Sequence, residues 1–522
     1  MRSAGGERGI ADWLPQGVER RSDGFTLAWI CGVALAIRLY LSLTSYCISG
    51  DGVAYLAMAQ DFAAGLPRQA LDHVFSPLYP LLIAAAHVAI PDWEMAGNLV
   101  SAMMGTAAVA TIFGMTRAAM GRRDLAIGAA ALTAIHPDMA AYSASVRTEA
   151  GYIMLMTAAV WSLIAALDRR RLPLVVSAGA IGGLAYLFRT EAIAFLPFAA
   201  IFMVLGAPLW RRWSLGWAIV AAITFCGSFL LIASPYLVYL RISSGHWILS
   251  REFTAAMMYG MGEVAPNSRH WQALGYSTHV SALTPIFADP MRYLRKVGDD
   301  LLGTLIGFVR AMGPAPVILL PIGLWGRGRA IAANFAEAML TLLTLAYAGG
   351  FAISYTGARF MLHVIPYVFG WTIAGLAAAS NALERMMDQA AKFPLPHGAL
   401  AAAVALTMLP QTLWPIGYDQ RGFRHAGEEI ATRAAGRPIA VVARDGRVAF
   451  YAHARFILLG DPGQGGLCRW LEARPEAGYL LLGDRDVHRF RAPAATPCLA
   501  PVRRYGRYGK GYFELFVINR SK

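Results

Sequence analysis

Long apolar runs separated by short polar segments make up the chain as far as about residue 416. A run of about 20 apolar residues is long enough to cross a bilayer as one helix. These runs predict about eleven membrane-spanning helices, near residues 25–46, 96–119, 124–143, 149–168, 172–188, 190–209, 214–240, 298–326, 333–354, 359–381 and 397–416. The chain is therefore predicted to be a polytopic α-helical membrane protein.

One shorter apolar stretch, Pro77–Ile90, decides the topology. With the basic tail 1–24 on the inner side, a crossing here would place Arg122–Arg123 and Arg169–Arg171 outside. That placement violates the rule that arginine and lysine collect in inner loops. If the stretch lies at the interface or dips in and returns, every basic cluster falls inside. We therefore expect outer regions at 47–95, 144–148, 241–297 and after residue 416.

Composition agrees with a membrane protein, since 57% of the residues are hydrophobic and only 15% are charged. The formal net charge of +14 raises the question of a nucleic-acid partner. The basic residues, however, lie in short clusters between apolar runs, whereas a nucleic-acid-binding protein gathers them on one soluble face. The positive charge therefore indicates which loops lie on the inner side of the membrane. The expected partner is the lipid bilayer, and no nucleic-acid partner is expected.

The region 417–522 has a different pattern. Short β-rich runs alternate there with a helical stretch, at Ile439–Ala443, Phe456–Leu459, Tyr479–Leu482, Phe513–Ile518 and Ala426–Ala434. This pattern predicts a small α/β domain, which lies outside because the last span ends outside. Cys468 and Cys498 fall within it, and export would allow a disulfide between them. The sequence leaves that bond open.

The candidate chemistry begins just after the first span, in the segment Ser49–Gly65. Asp51 stands there between two glycines, which allow the backbone to approach a ligand closely. Val53, Leu56 and Phe62 recur at helical spacing, which predicts an amphipathic helix lying on the outer leaflet. Asp51 would then lie at the N-terminal end of this helix, close to the lipid headgroups.

This segment, together with later motifs in the same order, resembles the GT-C glycosyltransferases, especially the lipid A aminoarabinose transferases and the protein O-mannosyltransferases. Asp51, Tyr55, Ala59 and Gly65 match the pattern of the first outer loop. The further matches are Ser76–Leu82, Arg147–Glu149, Phe188–Glu191, Gly357–Phe360 with Pro366, and Arg447–Tyr451. Two positions depart from the pattern: Ser76 replaces a lysine of the aminoarabinose enzymes, and Gly52 replaces the second acid of many mannosyltransferases.

The resemblance implies a GT-C bundle over 25–416 with outer juxtamembrane helices, followed by a periplasmic α/β domain over 417–522. It implies a multi-pass glycosyltransferase of a bacterial inner membrane with its active site on the periplasmic face. The donor would be a sugar on a polyprenyl phosphate, and the acceptor an envelope lipid, glycan or protein. Lipopolysaccharide is one such acceptor. The sugar, the acceptor and the oligomeric state stay open.

The resemblance also implies roles for individual residues. Asp51 would act as the general base that removes the acceptor's proton, in a single displacement that inverts the anomeric carbon. The donor's phosphate and sugar would be bound by residues at outer helix ends, namely Arg147, Glu149, Arg189, Glu191, Arg359 and Tyr55.

No set of metal ligands is recognisable in the sequence, because the pairs His73 with Asp72 and His136 with Asp138 each provide too few ligands for a metal ion. No cofactor is predicted, and metal dependence stays open.

Two other functions are compatible with the sequence. A transporter or flippase for a lipid-linked sugar would have repeated halves and helices broken near mid-membrane, and the sequence shows no matching halves. An O-antigen ligase or polymerase would place its key residues in the late loop 241–297, which contains Arg251, Arg269 and His270. Substitutions of Asp51 and of that loop would distinguish the two classes of transferase.

Overall fold

The computed structural model describes residues 16–258, 284–391, 398–460, 462, 466–491, 496–506 and 511–519. Most of the basic tail 1–24 therefore lies outside the described residues, as do Arg269 and His270 of the late loop. The chain divides into two compact units. Unit 1 comprises Met1–Ile37, Met103–Ala140 and Glu149–Thr412, and unit 2 comprises Arg38–Ala102, Ala141–Thr148 and Leu413–Lys522.

Helices account for most of the structure. In chain order they are α1 (Gln16–Leu43), α2 (Gly50–Ala63), α3 (Pro67–Asp72), α4 (Leu78–His87), α5 (Trp93–Met120), α6 (Arg123–Ile135), α7 (Pro137–Tyr142), α8 (Glu149–Arg169), α9 (Leu172–Phe188), α10 (Phe195–Trp210), α11 (Leu215–Ser244), α12 (Arg251–Met258), α13 (Thr284–Ala288), α14 (Pro290–Met312), α15 (Pro314–Ala333), α16 (Phe335–Ile353), α17 (Ala358–Met361), α18 (Phe369–Ala391), α19 (Ala399–Thr412), α20 (Gly422–Ala434), α21 (Arg447–Tyr451), α22 (Gly466–Glu472) and α23 (Asp484–Phe490). Short 3-10 turns lie at Thr190–Ala194, Ile365–Val368 and Tyr418–Gln420.

Side-chain caps begin several of the long helices. Ser214 accepts the amide N–H of Trp217 at the start of α11, and Asp289 accepts that of Arg292 at the start of α14. Such caps satisfy amide groups that have no partner inside the helix. The starts of these two helices therefore follow from local sequence.

Six helices of the described chain are long and apolar enough to cross a bilayer, or seven if the bent pair α14–α15 is one span. Three other apolar helices are shorter, at Leu78–His87, Leu172–Phe188 and Ala399–Thr412. The multi-pass helical architecture is therefore confirmed. The predicted number of about eleven spans is not.

The single helix predicted at 298–326 is wrong. The chain forms α14 and α15 instead, bent by 106° at Gly313, where φ is 76°. Pro314 explains the break, because a proline lacks an N–H and disfavours helical backbone at the residue before it. A similar break at His136, before Pro137, divides the predicted run 124–143 into α6 and α7.

Close backbone packing joins α15 and α18 in unit 1. A Cβ atom at Gly323 would clash with the carbonyl of Trp371, and one at Gly375 would clash with the carbonyl of Leu319. Small residues at such contacts let the backbones of membrane helices approach one another. The tight α15–α18 contact therefore depends on these two glycines.

Unit 2 contains the predicted α/β region. Its sheet has five strands in the order β2-β1-β3-β5-β4, namely β1 (Ala440–Ala443), β2 (Arg455–Leu458), β3 (Ala477–Gly483), β4 (Leu499–Gly506) and β5 (Tyr512–Ile518). Strands β2, β1 and β3 are parallel, whereas β5 runs antiparallel to β3 and β4. Four strands and the helix α20 match the predicted runs. The fifth strand, β4, was not predicted.

A disulfide joins Cys468 to Cys498 in this domain, so the bond that the sequence left open is present. It links α22 to the segment just before β4. The domain has two apolar clusters, and Val441 and Leu515 are completely buried in one of them. The sheet therefore has a core of its own.

Candidate active site

Four of the predicted site residues form one ion cluster in unit 1. Arg189 Nη2 lies 2.6 Å from Glu191 Oε1, and Arg189 Nη1 lies 3.6 Å from Glu149 Oε1. The Nε of Arg359 donates to the same oxygen of Glu149. These residues come from the start of α8, the turn after α9 and the short helix α17. The fold thus brings together side chains that are up to 210 positions apart.

Burial makes this cluster interdependent. The side chains of Glu149 and Arg189 are 1% and 7% exposed, whereas those of Glu191 and Arg359 are 24% and 27% exposed. A buried charge without an opposite partner is costly, so the two arginines and two glutamates stabilise one another. Arg359 is the more accessible guanidinium, and Arg189 is the inner one.

His363 lies beside this cluster and was not among the predicted site residues. It is 2% exposed, and within the described residues neither of its ring nitrogens has a hydrogen-bond partner. Its ring packs 6.4 Å from that of Phe360, over which Arg189 Cζ lies at 5.6 Å. A histidine in an otherwise apolar run four residues after Arg359 is the signal that could have found it.

A cavity of about 250 Å³ adjoins the cluster within unit 1. Glu191 and Phe360, which both contact Arg189, line it. Most of the remaining lining is apolar or aromatic, and Ser250, Glu252 and Phe253 contribute from the late loop 241–297. An apolar cavity with a few polar groups at one side suits an amphiphilic ligand.

The loop before Arg359 is held by α14. Lys296 Nζ donates to the carbonyl of Ser354 at 2.6 Å and to Asp300 at 2.7 Å. Tyr293 donates to the carbonyl of Ile353 at 3.0 Å. Lys296 is 6% exposed and was also missed by the sequence analysis. Its position four residues before an aspartate is the only local signal for this role.

Asp51 lies in unit 2, in the first turn of α2 and half-buried. The hydroxyl of Ser49 caps this helix by accepting the amide N–H of Gly52 at 3.0 Å. A Cβ atom at Gly52 would lie 2.8 Å from Ile48 and 3.1 Å from the carbonyl of Val146. Gly52 therefore allows α2 to pack closely against Ile48 and Val146. The sequence had suggested that it allows close approach to a ligand.

Arg147 and Tyr55 also lie in unit 2, near the same segment. Ser49 Oγ donates to the carbonyl of Val146 at 2.9 Å, and the hydroxyl of Tyr55 lies 3.4 Å from that of Thr148. Arg147 Cζ lies 4.4 Å from the ring centre of Tyr142. The chain segments that carry Asp51 and Arg147 are thus tied together. Tyr55 itself is only 3% exposed.

The two histidines considered as metal ligands, His73 and His136, have local partners. His73 Nε2 lies 3.5 Å from Asp61 Oδ2 in unit 2. His136 accepts the amide N–H of Met139 at 3.4 Å. Among the residues that the structure describes, no group of three or more His, Cys, Asp or Glu side chains is placed to hold a metal ion.

Comparisons with known proteins bear on the class of the protein. The family model "Dolichyl-phosphate-mannose-protein mannosyltransferase" matches residues 73–261. A comparison of the sequence with curated proteins gives no match. The fold is similar to that of the oligosaccharyltransferase AglB from Archaeoglobus fulgidus, solved with an inhibitory peptide and a dolichol-phosphate. The TM-score is 0.57 at 12% identity, over 96% of this chain and 75% of that chain.

The fold is also similar to that of ArnT from Cupriavidus metallidurans. The apo structure matches with a TM-score of 0.56 at 14% identity, over 95% of this chain and 98% of that chain. The complex with undecaprenyl phosphate matches with a TM-score of 0.54 at 14% identity, over 94% and 97% of the two chains.

The family model over residues 73–261 and the shared fold support the predicted resemblance to the GT-C glycosyltransferases, and with it the prediction of a membrane glycosyltransferase. At such low identities the solved structures show the fold alone.

Proposed function

We propose that this glycosyltransferase moves a sugar from a polyprenyl-phosphate carrier to a hydroxyl of an envelope lipid, glycan or protein. The reaction takes place on the periplasmic face of a bacterial inner membrane. The observation that carries the proposal is the cluster of Arg189 and Arg359 beside an apolar cavity. AglB with a dolichol-phosphate and ArnT with undecaprenyl phosphate support a donor of this class.

The donor is bound through its phosphate and its prenyl chain. Arg359, the more exposed guanidinium, contacts the phosphate, since its planar group suits bidentate binding of an oxyanion. Glu149 and Arg189 hold Arg359 in place, and Glu191 contacts a sugar hydroxyl. The apolar wall of the cavity, with Phe360, receives the first part of the prenyl chain. Negative charge that develops on the departing phosphate is then stabilised by fixed cations.

The acceptor hydroxyl is activated by Asp51. Its carboxylate takes the proton as the hydroxyl oxygen forms a bond to the anomeric carbon and the bond to the phosphate breaks. A single displacement inverts the configuration at that carbon. Arg147, on the segment tied to that of Asp51, adds a second cation for the donor phosphate. Tyr55, which is buried one turn further along α2 and lies 3.4 Å from the hydroxyl of Thr148, supports this segment and contributes to the donor site.

The most direct test uses the purified protein with defined substrates. Sugar transfer from a polyprenyl-phosphate sugar, and release of the polyprenyl phosphate, are followed by mass spectrometry. Lipid and glycan profiles of cells that lack the protein identify the sugar and the acceptor. In such cells the acceptor lacks one sugar, and the carrier that still holds this sugar accumulates. Carrier movement across the bilayer without sugar transfer would favour a flippase instead.

Arg359→Lys is expected to raise the donor KM by about tenfold, because lysine keeps the charge but loses the planar fork that binds two phosphate oxygens. The apparent affinity for the acceptor should stay unchanged. Steady-state kinetics with the donor varied at saturating acceptor measures the effect. Arg327→Lys is the matched control, since Arg327 also pairs with a buried glutamate, Glu337, at 2.5 Å. An unchanged donor KM for Arg359→Lys would remove Arg359 from the donor site.

A reporter that works only outside the inner membrane is expected to be active when it is fused after residue 420, and a reporter that works only inside is expected to be inactive there. The charge rule places this position outside, and the disulfide between Cys468 and Cys498 supports export because such bonds persist in oxidising compartments. One reporter that works only outside and one that works only inside are fused at the same position. Activity of the inside reporter alone would overturn the topology and the proposed face of the site.

A further inference from the structure

The segment that precedes Asp51 is bound by the C-terminal part of unit 2. The amide N–H of Tyr46 donates to the carbonyl of Ile416 at 2.9 Å. The amide N–H of Ile48 donates to the hydroxyl of Tyr451 at 2.7 Å. Ile48 is only 2% exposed, so this amide has little access to water. The hydroxyl of Tyr451 therefore satisfies the buried amide of Ile48, the residue directly before Ser49, which caps α2.

The same hydroxyl has two further partners. It donates to the carboxylate of Glu94, whose two oxygens lie 3.3 Å away. It also accepts from Arg424 Nη2 at 3.1 Å, and this group pairs with Glu94 Oε2 at 2.7 Å. Burial and the Glu94 carboxylate raise the pKa of Tyr451 above its usual range, so the hydroxyl stays protonated. One hydroxyl thus donates once and accepts twice.

Only two residues of backbone, Ser49 and Gly50, separate Ile48 in this network from Asp51. Ile48 is followed by Ser49, whose hydroxyl donates to the carbonyl of Val146 and caps α2. Asp51 lies in the first turn of that helix. The start of α2 is therefore fixed from two sides, by the Val146 segment and by Tyr451. A shift of about 1 Å in a catalytic group can cost up to a hundredfold in rate.

We infer that Tyr451 is a positioning residue, which holds the start of α2 so that Asp51 meets the acceptor hydroxyl, with Glu94 and Arg424 orienting the phenol. The inference rests on the proposed role of Asp51 as general base. It gives the C-terminal domain a part in the reaction through the hydrogen bond from the Ile48 amide to Tyr451. Removal of the hydroxyl should therefore change kcat rather than substrate binding.

Tyr451→Phe tests this, because it removes only the hydroxyl. We expect kcat to fall by about tenfold, with the KM values of donor and acceptor unchanged. Tyr505→Phe is the matched control in the same domain. The hydroxyl of Tyr505 donates to the carboxylate of Glu429 at 2.5 Å and has no bond to the segment before Asp51 among the described contacts. Its removal should lower the unfolding temperature without changing kcat.

A double variant separates positioning from a general effect. If Tyr451 acts through Asp51, then Tyr451→Phe lowers kcat no further once Asp51→Asn is present, because coupled residues are not additive. Full kcat for Tyr451→Phe overturns the inference, as does an equal loss in Tyr505→Phe or an additive loss in the double variant. Should Tyr451→Phe fail to fold, Glu94→Gln replaces it, and an unchanged kcat there overturns the inference. Full activity of Asp51→Asn alone contradicts the proposed base instead, a result that is seen before any variant of Tyr451 is made.

Discussion

Asp51→Asn is expected to lower kcat by at least about a hundredfold, since a positioned general base contributes roughly 10² to 10⁴ in rate. The protein should remain folded and membrane-inserted. Asparagine has the same shape, and the cap of α2 comes from Ser49 rather than from Asp51. An amide cannot take the proton of the acceptor hydroxyl, so donor binding should be retained while transfer is lost. Single-turnover transfer by purified protein at saturating donor measures the effect.

Asp61→Asn provides the control for Asp51→Asn. Asp61 lies in the same helix α2, and its side chain, 18% exposed, lies 3.5 Å from His73. It has no role in the proposed reaction, so its replacement should leave transfer close to that of the unchanged protein. Near-normal transfer by Asp51→Asn, with Asp61→Asn equally active, would show that Asp51 is not the base. The late loop, of which Glu252 lines the cavity, would then become the next place to search for it.

Arg189→Met should destabilise the protein by about 3–5 kcal/mol, the cost of breaking a buried ion pair by removing one partner. The side chain of Arg189 is 7% exposed and lies between the carboxylates of Glu149 and Glu191. Without it, the almost completely buried Glu149 loses one guanidinium and keeps Arg359, and Glu191 loses the guanidinium with which it pairs. Thermal unfolding in detergent measures the loss as a lower midpoint, compared at one scan rate because unfolding of such proteins is often irreversible.

Arg359→Met is the comparison for Arg189→Met. The side chain of Arg359 is 27% exposed and binds the same Glu149, so water screens part of the loss. Its removal should therefore affect stability less. A third variant, Arg189→Met with Glu191→Met, removes a positive and a negative charge together and should recover part of the stability. Equal midpoints for Arg189→Met and the unchanged protein would mean that the cluster does not support the fold.

Much of the architecture was predictable from the sequence, because it depends on local chemistry. Runs of apolar residues can satisfy their backbone in a bilayer only as helices, and these runs predicted most of the long helices. The alternation in 417–522 likewise predicted four of the five strands. The order of the motifs around Asp51, Arg147, Arg189 and Arg359 pointed to the GT-C superfamily. The apolar runs and the alternation each lie within a short stretch of chain, and the resemblance rests on short motifs in a fixed order.

Breaks and missing elements were harder to predict, since competing local preferences decide them. The run 298–326 is mostly apolar, yet Pro314 divides it and the chain turns by 106°. Strand β4 (Leu499–Gly506) contains Pro501 and two arginines and so lacks strand-like alternation. It forms because it pairs with the edge of β5, with a register shift between Pro501 and Arg503. Tertiary pairing there overrides the weak local preference.

What the sequence determined by itself is thus the class of protein, the helical nature of the apolar runs and the types of charged residue at their ends. Only the tertiary structure decided which of those charges meet. Glu149 and Arg359 are 210 positions apart, and Ile48 and Tyr451 are 403 apart. No local pattern records either contact. Each depends on tertiary packing within its own unit, because a buried charge or amide must find its partner wherever the fold brings one within hydrogen-bond distance.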